Sequence, residues 1–153
     1  MKPKNNIIVM EHKELLIKDI CSRLPYGLVI DYNGIRTTLH DIKVFQLYEG
    51  DNIKDYICLI DIFGDDDYVD IENIKPYLFP MSSMTEEQQK EANLFDDMDM
   101  NILSENLGRN HRNKTNIPTA TYNYTDWLNK NHFDYRGLIE KGLAIDATNL
   151  NVY

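Results

Sequence analysis

The chain has 153 residues, of which 42% are apolar and 27% charged, and its formal net charge at pH 7 is −9. Ten Tyr and five Phe supply large side chains for a core, which argues against a disordered chain. Two cysteines are too few for a disulfide framework, and the apolar run at 7–10 is too short for a signal peptide or a membrane span, so we expect a cytoplasmic protein.

The first 40 residues predict a helix and a β-hairpin. Apolar residues recur at helical spacing over 11–24, and Pro25 ends the pattern. The pair Asn33-Gly34 is typical of a type I′ turn, because both of its central residues need a positive φ. We therefore predict a hairpin with strands at 28–32 and 35–39.

Further strands are predicted at 42–48 and 56–63, on either side of a turn at 49–52. The run at 56–63 is almost continuously apolar, which favours a central strand covered on both faces. A short strand, a helical turn at 71–74 and a last strand broken by Pro76 complete this part. Cys21 and Cys58 each have apolar neighbours, so both are expected to be buried, reduced thiols.

The second half of the chain reads as helical or irregular. Thr85 and Gln88 form a capping box that opens a surface helix. Near the C-terminus, Thr125 or Asp126 is expected to cap one short helix, and another is expected to start near Asp134. Gly142 is placed to end that helix, with Leu143 against Leu138.

These elements predict an α+β fold with an N-terminal helix, a small antiparallel sheet or SH3-like barrel of about four to five short strands, and a helical C-terminal half. We expect four regions along the chain. They are a helix plus β core at 7–80, an acidic helical segment at 81–103, a polar Asn-rich loop or linker at 104–124, and a short helical tail docked on the core at 125–153.

The acidity of the chain is concentrated in one block. Residues 61–100 carry twelve acidic and two basic side chains, whereas the flanking segments are nearly neutral. This block is either a solvated surface or a contact surface for a basic partner or a divalent cation. The candidate acidic surface consists of Asp61, Asp65, Asp66, Asp67, Asp70, Asp96, Asp97 and Asp99.

Catalytic patterns are absent from the sequence. It has no Gly-rich phosphate loop, no nucleophile elbow and no paired-cysteine metal motif. The four histidines, His12, His40, His111 and His132, lack the spacing of metal ligands. We therefore predict no catalytic residue, no metal site and no cofactor, and direct binding of nucleic acid is disfavoured by the overall negative charge.

Three motifs resemble a family of small proteins that are encoded by gut Bacteroidetes and by their phages and prophages. They are LIKDICSRLPYG at 16–27, IKPYLFPMSSMTEE at 74–87 and DWLNKNHFDYRGLIEKGLA at 126–144. The family has no established activity, so no catalytic residue is carried over. The resemblance implies a phage or mobile-element context and the cytoplasm of a bacterial host. The chain departs from the pattern at Phe79, where a basic residue is expected, and in an Asn-rich insert before Tyr124.

The third motif has two interpretations. It can dock the C-terminal tail on the core, since a lone tryptophan often anchors a core. Alternatively it can form a docking face for another protein, because aromatic residues with an arginine are typical of interface hot spots. The candidate binding residues are Trp127, His132, Phe133, Tyr135 and Arg136.

The sequence favours a non-catalytic protein-binding or regulatory accessory protein of phage or mobile-element type, acting on a host or phage protein. Three alternatives stay open: an acidic DNA mimic that inhibits a nucleic-acid-processing or defence system, a minor virion component, and a metal-dependent hydrolase. No membrane association is expected, and the sequence does not fix the oligomeric state.

Overall fold

The structure is a computed structural model, and it describes residues 4–62, 68–93 and 119–153. Three α-helices lie in these ranges: α1 (Lys4–Arg23), α2 (residues 86–93) and α3 (Thr119–Lys130). The strands are β1 (Val29–Tyr32), β2 (Ile35–Thr38), β3 (Asp41–Glu49), β4 (Asn52–Asp61), β5 (Tyr68–Asp70), β6 (Ile74–Leu78) and β7 (Ile145–Asp146).

The strands form two open sheets in the order β2-β1-β6-β7 and β3-β4-β5. The α+β class is therefore confirmed. The SH3-like barrel is not the arrangement, because the described strands do not close on themselves. All strand pairs are antiparallel except β6 with β7, which is parallel.

The first sheet begins with the predicted hairpin. Asn33 and Gly34 have φ of 52° and 84°, as the type I′ turn requires. The Asp31 carboxylate accepts a hydrogen bond of 3.1 Å from the Gly34 amide, which fixes the turn. Contrary to the prediction of a break, β6 continues through Pro76. On its β7 side, β6 is paired only at Tyr77 and Leu78, so the missing N–H of Pro76 costs no ladder hydrogen bond there.

In the second sheet, β4 is the middle strand, as its apolar run predicted. It pairs with β3 along its whole length, but β5 pairs only with Leu59–Asp61 at its end. A bulge interrupts the β3–β4 ladder between Leu47 and Tyr48. Lys54 of β4 is the extra residue there, so β3 itself stays regular.

The main core lies between α1, both sheets and residues 119–153, which we call the C-terminal segment. Its largest contributions are aliphatic: Leu16, Ile17, Ile20, Leu28, Ile30, Leu39, Ile60, Ile62, Ile71, Ile74, Leu78 and Leu138. A smaller cluster around Trp127 and Phe133 also includes Ala92 of α2. The C-terminal segment thus contributes to both clusters.

The start of α2 confirms the capping box. The Thr85 amide donates to Gln88 Oε1 at 2.9 Å, and the Gln88 amide donates to Thr85 Oγ1 at 3.2 Å. This reciprocal pair satisfies two amides that a helix N-terminus otherwise leaves without partners. Only Ala92 on α2 is buried, so the helix lies on the surface as predicted.

Several details of the second half differ from the predictions. Helix α3 begins at Thr119, so Thr125 and Asp126 are interior and do not cap it, and residues 119–124 are helical. The helix expected from Asp134 is a series of turns followed by β7. Residues 94–118, which include the end of the predicted acidic segment and most of the predicted linker, lie outside the described part of the chain.

The turn that replaces this helix still ends as predicted. The Leu143 amide donates to the Leu138 carbonyl at 2.9 Å, and the Gly142 amide donates to the Ile139 carbonyl at 3.0 Å. Gly142 has a φ of 70°, which completes a Schellman-type ending. The prediction for the first cysteine is wrong: Cys21 is a free thiol, but it is exposed, because it lies on the outer face of α1. The Cys58 side chain lies outside the described part.

Candidate interaction surface

Side chains from all three sequence motifs meet at one junction between α1 and the C-terminal segment. Asp19 and Arg23 lie one turn apart on α1, and both are fully buried. Arg23 donates to both carboxylate oxygens of Asp19, at 2.8 Å from Nε and 3.0 Å from Nη2. Arg23 Nη2 also donates to the Phe133 carbonyl at 2.7 Å. The buried charges are therefore paired and hydrogen-bonded, as burial in an apolar region requires.

Arg136 joins this network from the C-terminal segment. Its Nη1 donates to Asp19 Oδ1 at 2.7 Å and to Ser22 Oγ at 3.1 Å. Its guanidinium carbon lies 4.5 Å from the centroid of the Tyr135 ring, a distance typical of a cation–π contact. One carboxylate, Asp19, thus accepts from two arginines that lie more than a hundred residues apart.

The second motif enters the junction through Phe79. The Phe79 amide donates to the His132 carbonyl at 2.9 Å, and the Asp134 amide donates to the Phe79 carbonyl at 2.8 Å. The Phe79 ring lies 6.2 Å from the Phe133 ring and 5.8 Å from the Tyr153 ring. Phe79 is therefore a packing residue here, at the position where the family resemblance implies a basic one.

His132 is buried in this junction. Its ring stacks on Tyr153, with centroids 3.9 Å apart and planes 9° apart, and its Nδ1 has no hydrogen-bond partner among the described residues. Burial, together with the positive charge of Arg23, lowers the pKa of His132 to about 4. The imidazole is therefore neutral at pH 7. The Tyr153 hydroxyl donates to the Tyr77 carbonyl at 2.8 Å, and its burial raises the pKa of that phenol.

The structure brings the five candidate binding residues of the third motif together, but mostly inside the protein. Trp127, His132 and Phe133 are 6%, 6% and 2% exposed. Tyr135 and Arg136 are partly exposed. Only parts of the Tyr135 and Arg136 side chains are therefore accessible to a partner. The contacts of the set dock the C-terminal segment on the rest of the protein.

The acidic candidates are not brought together in the described part. Asp61 is 6% exposed, so it does not belong to an open acidic surface. Asp70 is exposed, and its carboxylate accepts from the Glu72 amide at 3.1 Å to cap a short turn. The remaining six residues, Asp65, Asp66, Asp67, Asp96, Asp97 and Asp99, lie outside the described ranges.

A different surface stands out on β3. Four large apolar side chains are exposed there: Val44 by 39%, Phe45 by 52%, Leu47 by 41% and Tyr48 by 60%. Val44 and Tyr48 lie on one face of the strand, and Phe45 and Leu47 lie on the other. The sequence pattern predicts this strand but not its exposure. The available signal was its lack of alternation between apolar and polar residues.

The exposure follows from the length of the β3–β4 hairpin. Beyond Lys43 and Leu59, β5 no longer pairs with β4, so residues 44–58 form a two-stranded extension that we call the ribbon. The base of β3 packs through Ile42 against the main core. An isolated two-stranded ribbon is marginally stable in water, and apolar side chains on both of its faces are expected to be covered by another chain.

The outer edge of β3 is also open. In the described part of the chain, β3 is the edge strand of its sheet, and no other strand pairs with its outer side. Edge strands in soluble proteins are usually short, or carry proline, lysine or bulges that block pairing. β3 has nine residues without proline or glycine, and its single lysine, Lys43, lies near the base. Its backbone is therefore able to accept a further strand.

A shallow cleft of about 220 Å³ lies elsewhere, between α1 and the turn at Gly142. Its lining includes the apolar residues Leu16, Ile71 and Leu143 and the polar residues His12 and Lys75. An ion pair of 3.4 Å between Lys13 and Glu72 crosses this region. The cleft holds no grouping of acid, base and nucleophile among its lining residues.

The chain matches no protein-family model, and no curated protein and no solved structure is significantly similar to it. Within residues 4–62, 68–93 and 119–153, no three His, Cys, Asp or Glu side chains converge as ligands for a metal ion. No helix in those ranges has the length and apolar character needed to cross a membrane.

Proposed function

We propose that this protein is a non-catalytic accessory protein that acts by binding an extended polypeptide segment along the edge of β3. The observation that carries the proposal is the exposure of Val44, Phe45, Leu47 and Tyr48 on a nine-residue edge strand. The phage or mobile-element context of this activity rests on the sequence resemblance alone.

Strand addition suits this surface better than other modes of recognition. An incoming strand forms main-chain hydrogen bonds with the open edge, and its alternate side chains contact the apolar residues on each face of β3. The gain comes from backbone pairing and from apolar cover together. Both contributions are smaller on β2, the outer strand of the other sheet, which has only four residues and a single large exposed apolar side chain, Ile35.

The charge of the ribbon favours a polypeptide over a polyanion. Residues 44–58 carry three acidic side chains, Glu49, Asp51 and Asp55, and one basic side chain, Lys54. Nucleic acids and anionic lipid surfaces bind proteins largely through clustered Lys and Arg. The ribbon lacks such a cluster.

A peptide array tests the proposal. The probes are nine-residue peptides with alternating apolar and polar residues, together with matched peptides in which a central residue is replaced by proline. The wild-type protein is expected to bind the uninterrupted peptides, since proline removes an N–H that the edge pairing uses. Equal binding to both sets, or binding to neither by protein that is monomeric at the concentration used, contradicts strand addition.

Two variants locate the binding. Phe45→Lys together with Leu47→Lys is expected to abolish peptide binding, because it places charges on one face of the strand. Ile35→Lys is the matched control, since Ile35 is 52% exposed on the other sheet and its replacement leaves β3 unchanged. Loss of binding in the control as well as in the double variant contradicts the assignment to β3.

A further inference from the structure

We infer that the strand that β3 accepts is β3 of a second copy of this chain, which makes the protein a dimer with a continuous six-stranded sheet. This inference rests on the proposed function, since it names the polypeptide that the edge binds. The order across the dimer is β5-β4-β3 followed by the same three strands of the second copy in reverse. The possible registers of this pairing differ in the residues that they place in contact.

The geometry of an antiparallel edge limits the registers. Alternate residues of an edge strand direct both their N–H and their C=O outward, so an outward residue must face an outward residue of the other strand. Two identical strands related by a two-fold axis meet this condition only when one residue lies opposite its own copy. In a pair of β3 strands, the residue that faces its own copy can be any residue near the middle of the strand. Each choice of this central residue gives a different set of cross-strand pairs.

Three of these registers are unfavourable. Centring the pair on Phe45 places Asp41 opposite Glu49 of the second copy, twice, and like charges directly opposite one another are destabilising. Centring it on Val44 places Lys43 opposite Phe45. Centring it on Leu47 places Glu49 opposite Phe45 and shortens the paired region, because the tight turn begins at Gly50.

Centring on Gln46 gives complementary pairs at every position from 43 to 49. Lys43 faces Glu49 of the second copy at both ends, and Gln46 faces Gln46 at the centre. Between them, Val44 faces Tyr48 on one side of the sheet and Phe45 faces Leu47 on the other. Each of the four exposed apolar residues thereby gains an apolar cross-strand neighbour, and the end pairs have opposite charge, which together stabilise antiparallel pairing.

Lys43 also has a contact within its own chain. The Lys43 ammonium lies 4.1 Å from the centroid of the Tyr68 ring, and this contact lies on the same sheet face as residue 49 of the second copy. The contribution of the Lys43–Glu49 pair is an attraction between exposed charges, which sets the register more than it sets the affinity. The apolar pairs and the backbone ladder supply the affinity.

Charge exchange tests the pairing of the ends. Lys43→Glu and Glu49→Lys alone are each expected to weaken dimerisation by about tenfold, because each change replaces two attractive pairs by two repulsive ones. The double variant Lys43→Glu/Glu49→Lys is expected to restore it. Loss of the Lys43 contact with Tyr68 would not be repaired by the second change, so recovery reports on the pair between copies. Additive weakening in the double variant contradicts the register.

Disulfide trapping tests the register directly, in a Cys21→Ser background that removes the exposed thiol. Gln46→Cys is expected to form a covalent dimer on mild oxidation, because opposed residues of antiparallel strands have Cα atoms about 4.5–5.5 Å apart, within reach of a disulfide. Val44→Cys is the matched control on the same face. Its two copies would be four residues apart along the strand, about 13 Å, and are expected to stay monomeric.

The outcomes separate this inference from the proposed function. Trapping of Gln46→Cys alone supports the register, whereas equal trapping of Val44→Cys overturns it. If neither variant is trapped and the wild type is a monomer in solution, the dimer is overturned. The proposed function then stands if the monomer still binds the uninterrupted array peptides, and fails with the dimer if it does not.

Discussion

Asp19 and Arg23 form a two-point ion pair in the interior of the protein, with hydrogen bonds of 2.8 and 3.0 Å and no exposure of either side chain. The pair lies on the inner face of α1, where an apolar residue would be expected from the periodicity. Its role follows from its outer contacts, since Arg23 reaches the Phe133 carbonyl and Asp19 accepts from Arg136. The pair therefore ties the C-terminal segment to the N-terminal helix.

Removal of Arg23 is expected to destabilise the protein strongly. In Arg23→Met, the Asp19 carboxylate loses one of its two arginine partners and keeps Arg136, and the Phe133 carbonyl loses its charged donor and keeps the Tyr135 amide. Breaking a buried pair on one side typically costs about 3–5 kcal/mol of the free energy of unfolding. Urea denaturation measures this change. Lys18→Met, at an exposed position of the same helix, is the control and is expected to change stability by less than about 0.5 kcal/mol.

Protonation of His132 is expected to lower the free energy of unfolding as the pH falls from neutral to mildly acidic. Its pKa is about 4 in the folded protein and 6.5 ordinarily, so the unfolded chain binds the proton more readily over this interval. The stabilisation by neutral His132 is therefore complete above pH 6.5 and is lost as the pH falls toward 4, with a limit of about 3 kcal/mol.

A comparison of the wild type with a His132 variant separates the effect of His132 on stability from the titration of carboxylates. His132 has a φ of 58°, and asparagine tolerates that conformation well, so His132→Asn retains the backbone. The free energy of unfolding of wild type and variant should converge as the pH is lowered from 7 to about 4.5. A constant difference over that interval would show that the imidazole of the folded protein titrates normally.

Thr85 is expected to stabilise the start of α2 through its hydroxyl. Thr85→Ala removes the acceptor for the Gln88 amide and should lower the free energy of unfolding by about 1 kcal/mol. Thr85→Ser keeps a hydroxyl in place and should retain most of that stability. Thermal or urea unfolding of the three proteins measures the effect, and an equal loss in both variants would contradict a capping role.

The sequence predicted those parts of the fold in which local signals decide the structure. The Asn33-Gly34 turn, the Thr85–Gln88 capping box and the ending at Gly142 each depend on a few neighbouring residues, and all three have the expected geometry. The central position of β4 follows similarly from its continuous apolar run. In these cases local preference and tertiary packing favour the same conformation.

Long-range pairing decided the features that the sequence left open. No local signal indicated that Asp19 would accept from both Arg23 and Arg136, although the spacing of Asp19 and Arg23 on one helix is that of an ion pair. The Asp134 carboxylate accepts at 2.8 Å from the Leu138 and Ile139 amides, which lie four and five residues on. A helix N-cap accepts from amides two or three residues on, so this carboxylate closes a loop and does not open a helix.

The candidate surface illustrates the same limit. The residues of β3 were recognised as a strand, but their exposure depends on how far β5 and the core extend along the hairpin, which is a tertiary property. The third motif shows the converse. Its aromatic residues resemble an interface in sequence, yet Trp127 and Phe133 stack at 5.7 Å inside the protein.

The most direct test of the account is the association state of the wild-type protein in solution, measured by sedimentation over a wide range of concentration. The account predicts a reversible dimer of the 18.0 kDa chain that Phe45→Lys converts to a monomer and Ile35→Lys does not. A wild-type protein that remains monomeric throughout, and that also fails to bind extended peptides, would contradict the assignment of β3 as the binding edge.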